Sequence, residues 1–82
     1  MAEAPAPQDL IEYVVHSLVD HPDEVKIKTI PGSEEVVIEL RVADDDVGKV
    51  IGKNGSVARA LRTLLSNLGA QQKKIYTLEI ID

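Results

Sequence analysis

The sequence predicts an α+β domain in which three helices cover one face of a three-stranded mixed sheet, in the order α-β-β-α-α-β. Three observations lead there. Apolar residues recur at helical spacing in three stretches and alternate with polar ones in three others. Pro31-Gly32 separates two neighbouring alternating runs, which marks a hairpin. Two helical stretches separate the second alternating run from the third, enough chain for a right-handed parallel crossover. The 82 residues suit one small domain with a modest core.

Met1 to Pro7 is Ala/Pro-rich and aperiodic, so it is expected to be a disordered lead, with residues 8–82 forming the domain. From Gln8, the residues Leu10, Ile11, Val14, Val15, Leu18 and Val19 make one helical stripe, and Pro22 ends that helix by His21. Glu24 to Ile30 reads as a strand with Val25, Ile27 and Thr29 in one register. Pro31-Gly32 then fits the centre of a type II turn, with positive φ at the glycine. Glu35 to Val42 is a second strand, with Val36, Ile38, Leu40 and Val42 on one face.

Asp44 to Asp46 supply caps and first-turn acids for a short helix starting near Asp45, from which Val47, Val50 and Ile51 point inward. After Gly55 a longer helix buries Val57, Leu61, Leu64, Leu65 and Leu68, with Gly69 as its C-terminal cap. Lys74 to Ile81 is the last strand. Tyr76, Leu78 and Ile80 share one face, and Ile75 and Ile81 lie on the other, where they hint at an interface.

Composition excludes several classes. With no cysteine, the chain has neither disulfides nor thiolate metal sites. No apolar run approaches the ~20 residues of a membrane span, and the start lacks signal-peptide character, so a cytoplasmic protein is expected. His16 and His21 have no carboxylate cluster at metal-ligand spacing, and Ser56 has no base partner. Neither a phosphate-binding P-loop nor a dinucleotide fingerprint is present. No constellation capable of catalysis and no cofactor site can be read, so an enzyme is not expected.

The net charge is −5, but it is unevenly spread. Residues 1–46 hold twelve acids and three bases, whereas residues 47–78 hold six bases and no acid: Lys49, Lys53, Arg59, Arg62, Lys73 and Lys74. Within this basic island, Gly52-Lys53-Asn54-Gly55 joins the two later helices. Two glycines let another backbone approach closely, and the first amides of the following helix attract an anion. Lys53 adds a mobile charge at the tip, and Lys49, Arg59 and Arg62 extend the field. Charges spread along a surface suit successive phosphates of a phosphodiester chain. The bland alternative is a helix–helix connector with glycine caps. A helix-turn-helix reader of duplex DNA is the nearest structural rival, and the hairpin before the helix pair does not suit it.

The apolar pair Val50-Ile51, the spaced glycines and the amphipathic run Ser56 to Leu65 resemble the K-homology (KH) RNA-binding domain. Gly48 to Gly55, continued by Ala60-Leu61-Arg62-Thr63-Leu64, is similar to the small bacterial single-KH proteins of the KhpA (YlqC) family, over residues 8–82. The extra helix and strand precede the core motif, the order of the type II KH topology. The resemblance implies a cleft for about four unpaired nucleotides of RNA. Gly52, Lys53, Asn54 and Gly55 would clamp the backbone, and Lys49, Arg59 and Arg62 would add phosphate contacts. Val50, Ile51 and Val57 would form part of a groove floor, near Ile38 and Leu40. It also implies an RNA chaperone or post-transcriptional regulator, linked to cell elongation, division and envelope synthesis. The expected partners are single-stranded RNA and either a second copy or a larger Jag/KhpB-like KH protein. Ser56 departs from a position that is often basic in such proteins. The alternative is a protein-interaction module that keeps the fold with little RNA affinity.

Overall fold

The computed structural model describes residues 6–81. The expected lead lies, for Met1 to Pro5, outside the described residues. The first helix, α1 (Pro7–Leu18), starts with proline in its first turn, where the missing N–H has no intrahelical partner to lose. Its Ile11 and Val15 are fully buried, Val14 and Val19 pack beside them, and Leu18 reaches solvent. A 3₁₀ turn, Pro22–Glu24, leads into β1 (Lys26–Pro31), and β2 (Glu35–Arg41) returns antiparallel to it. The strand order is β1-β2-β3, with β3 (Ile75–Ile81) parallel to β2. The expected central strand and crossover are therefore present. Helices α2 (Val47–Ile51) and α3 (Ser56–Gln72) form the crossover.

The hairpin differs from the type II expectation. Pro31 remains in β1, opposite Val36, and Gly32 does not take a positive φ. The Gly32 N–H donates to the Glu35 carbonyl at 2.7 Å. A side chain at Gly32 would collide with that same oxygen, so close approach, not handedness, calls for glycine there. Proline is tolerated because it ends an edge strand, where one missing donor costs little.

The core lies between the sheet and the helices. Ile38 and Leu40 from β2 and Leu78 from β3 meet Ile11 and Val15 of α1, Val50 of α2, and Leu61 and Leu65 of α3. Among the expected core positions that fall outside it, Ile51 is 38% exposed and Leu64 is 42% exposed. The stripe of α3 is narrower than its leucines suggest: its buried residues are Ala58, Leu61, Leu65 and Gly69.

Gly69 is not a cap. It lies inside α3, buried, where an added Cβ would press on the Lys74 carbonyl and the Tyr76 ring. The helix instead runs to Gln72 and closes with Lys73 in the left-handed region, φ 58°. The Lys73 and Lys74 amides donate to the Ala70 and Gly69 carbonyls, the paired bonds of a Schellman ending. The periodic pattern located the helix, but where it ended depended on how β3 crosses beneath Gly69.

No helix among the described residues is long and apolar enough to cross a membrane.

Two substitutions test this packing. Leu65→Ala should lower stability by about 2–5 kcal/mol in urea unfolding, the range for a buried leucine. Gly69→Ala should also destabilise, although helix propensity alone would favour alanine by about 1 kcal/mol. Stabilisation of that variant in the same assay would refute the close-approach account.

Candidate nucleic-acid interface

The loop between α2 and α3 is a single 3₁₀ turn, Lys53–Gly55, flanked by unusual backbone. Gly52 has φ 78° and ψ 169°, a region open in practice only to glycine. Asn54 (φ 57°) and Gly55 (φ 75°) are left-handed as well. Asparagine tolerates that conformation better than most residues. The loop is pinned from within: Gly52 N–H donates to Gly48 O at 2.9 Å, and Gly55 N–H to Gly52 O at 3.0 Å. The Ser56 amide donates to Lys53 O, so the first amide of α3 is engaged by the turn rather than open to an anion as expected.

The two glycines have different work. A Cβ on Gly52 would lie 2.5 Å from Val57 Cγ2 and 2.8 Å from the Val57 amide nitrogen. Gly52 is thus required for α3 to seat against α2. A Cβ on Gly55 would meet nothing within 4 Å. That bare backbone faces open space and leaves room for another chain to approach. Lys53 and Asn54 beside it are exposed.

The structure distributes the cations of the basic island differently from the sequence expectation. The Arg59 guanidinium donates to the Asn54 carbonyl at 3.1 Å, so Arg59 stands beside the loop and stiffens it. Arg62 turns to β3, where it donates to the Leu78 carbonyl at 3.4 Å. One helical turn therefore sends its two arginines to different sites. Lys49 pairs with Asp20 at 2.9 Å and with Asp46 at 3.2 Å. Its charge is largely compensated inside the protein. Val50 is fully buried in the core, as are Ile38 and Leu40, whereas Ile51 and Val57 retain contact with solvent. Lys53, Asn54 and Arg59, all exposed, group around the half-buried backbone of Gly52 and Gly55.

Asp46 is the residue that the sequence did not single out. Rather than capping a helix, its fully buried carboxylate accepts the backbone N–H groups of Asp20 and His21 at 3.0 and 2.9 Å, plus Lys49. It ties the exit of α1 to the start of α2. Burial pushes the Asp46 carboxyl upward, but the two amides and Lys49 outweigh that and hold it below its ordinary value. Lys49 is raised, chiefly by its bonds to Asp20 and Asp46. Three acids in a row signalled a helix start, but the partners of one of them lie 25 and 26 residues away, outside any local pattern.

The depressed Asp46 stabilises the fold above the ordinary carboxylate range, and that contribution is lost as pH falls through its folded value. The urea midpoint should therefore decline on acidification. Asp46→Asn should lower the midpoint at neutral pH and flatten the decline; an unchanged profile would remove Asp46 from this role. Gly52→Ala should destabilise by roughly 1–3 kcal/mol through strain and collision. Gly55→Asn should cost less, about 1 kcal/mol or below, because nothing stands where the side chain would go and asparagine tolerates the left-handed backbone better than most residues. Equal effects of the two changes in urea unfolding would contradict the division drawn between them.

Residues 8–80 match the family model described as "KhpA/KhpB, KH domain". Similar curated proteins include the "RNA-binding protein KhpA" of Borreliella burgdorferi, 50% identical over 74 residues and covering 90% of either chain. The protein of that name from Treponema pallidum is 52% identical over 75 residues, 92% of this chain and 94% of its own. The one from Aquifex aeolicus is 47% identical over 75 residues, 92% and 95%. No solved structure matches the chain significantly. The α-β-β-α-α-β order, the mixed sheet, the glycine-flanked turn and this match together place the chain in the KhpA/KhpB KH-domain family, with the type II topology.

Proposed function

We infer that this protein binds single-stranded RNA, with the loop Gly52-Lys53-Asn54-Gly55 as a clamp on the RNA backbone. The observation that carries the reading is the bare Gly55 backbone flanked by exposed Lys53 and Asn54, on a loop held rigid by its own hydrogen bonds and by Arg59. Such a loop can receive a phosphodiester without rearranging, so little ordering entropy opposes binding. Lys53 supplies the charge, Asn54 a polar side chain, and Arg59 a guanidinium whose remaining donors face solvent. Ile51 and Val57 offer apolar surface on which bases can lie. The RNA-binding names of the related proteins support the same reading.

A clamp for about four nucleotides gives modest affinity and little sequence selection. That suits an RNA chaperone or post-transcriptional regulator. It also favours joining two clamps, in a second copy or in a larger KhpB-like protein, because linkage raises effective concentration. The alternative, an assembly module with little RNA affinity, draws support from Ile75, which is 63% exposed on the outer face of β3.

Binding of short labelled RNAs should weaken as salt rises. The double change Lys53→Asp with Asn54→Asp should abolish it while the fold persists. Lys53→Ala should reduce the salt slope by about 0.7, the value for one phosphate contact to a single strand. Lys49→Gln should leave the slope unchanged, because Asp20 and Asp46 already hold that ammonium. Absence of RNA binding at low salt by the intact protein would leave the assembly reading in its place.

A further inference from the structure

The sheet face opposite the helices carries a second cluster of bases. Ile27 and Leu40 face the core, so the alternation of the strands turns Lys26, Lys28 and Arg41 to the open side. These are the three bases of the acidic half of the chain, residues 1–46. The register brings them together: Lys26 is the direct partner of Arg41, and Lys28 of Glu39. Together with Ile27 and Glu39 they line a shallow depression of about 390 Å³.

Like charges directly opposite on neighbouring strands are destabilising. Glu39 is the one acid in the depression, opposite Lys28, and it closes no ion pair there: among the described residues the ion pairs are those of Lys49, and none of Lys26, Lys28 and Arg41 takes part in one. Lysine on an edge strand discourages sheet-to-sheet association, which accounts for Lys26 and Lys28. It does not account for Arg41, which stands on the central strand. Three bases against one acid, retained in one depression of an acidic protein, fit an anionic ligand that neutralises the excess when bound.

We propose that Lys26, Lys28 and Arg41 form a second contact for the RNA backbone, used by chains longer than the loop clamp can hold. The choice of RNA as the anion rests on the function proposed above; the cluster itself is independent of the loop. Arg41 ends β2, and the chain passes from there through the turn Asp44–Asp46 into α2 and the loop. The two basic sites thus flank the same end of the sheet. A flexible single strand leaving the loop can pass that end to the open face. Phosphates would sit over Lys26 and Arg41, with Glu39 keeping the contact confined to their side.

The test compares oligouridylates of four and about sixteen nucleotides, binding the intact protein and a triple variant, Lys26→Gln, Lys28→Gln, Arg41→Gln. The longer RNA should bind the variant about tenfold more weakly, with a salt slope shallower by about 2, three contacts' worth. Affinity for the tetranucleotide should change less than twofold. Urea unfolding should show the variant at least as stable as the parent, since like-charge repulsion is removed. Equal weakening of both RNAs would indicate a general field and overturn the proposal, as would no change in either. Displacement of the long RNA by polyglutamate of matched charge would overturn it in favour of an acidic protein partner. If the intact protein ignores the tetranucleotide yet holds the longer RNA through these three residues, the loop reading fails while this one stands.

Discussion

At Gly52 the chain takes a backbone conformation that a side chain would forbid, and Val57 occupies the space where that side chain would be. Much follows from this contact. It lets α3 start within one 3₁₀ turn of the end of α2, so the two helices stay packed together over Val50 and Leu61. It also pushes Lys53, Asn54 and Gly55 outward, because the inner side of the turn is already filled. The loop is presented to solvent by the same close approach that completes the core beneath it. Its rigidity is therefore a property of the fold rather than of the loop alone.

Asp46 provides the second constraint. Its carboxylate holds the end of α1 against the beginning of α2, and Lys49 completes the arrangement. A buried carboxylate without such partners would be strongly unfavourable, whereas one receiving two amides and an ammonium is stabilised as the anion. The result is an internal use for a lysine that, by position in the chain, belongs to the basic island. The positive field near the loop then comes chiefly from Lys53 and Arg59. An acidic protein can in this way present a small cationic site, since exposed charges farther away than about 10 Å are largely screened at moderate salt.

The sheet separates two functions of charge. Its inner face is apolar and covered, and its outer face is a mixture of acids, bases and isolated isoleucines. Because β3 pairs parallel to β2, Glu39 lies beside Glu79 and Arg41 beside Ile81. Acids thus concentrate towards β3 and bases towards β1. This polarity arises from register, and neither strand shows it alone.

Local pattern carried most of the architecture. Helical periodicity, alternation, Pro22 and the spacing of Gly52 and Gly55 determined the element order, because those features depend on neighbours within a few residues; the short hairpin connection and the long two-helix crossover then placed β2 in the centre and returned β3 parallel to it. The same pattern marked Gly52 to Gly55 as a conspicuous turn and Arg59 as its neighbour. Tertiary contacts decided the rest. They sent Arg62 to β3 and Lys49 to Asp20, left Ile51 and Leu64 partly exposed, and placed Gly69 inside α3 where Lys74 crosses it. They also turned Asp46 from an expected helix cap into a buried anchor. In each case the deciding partner is distant in sequence or set by how closely two backbones approach. Periodicity records which side of an element is apolar, but it does not record what will stand opposite.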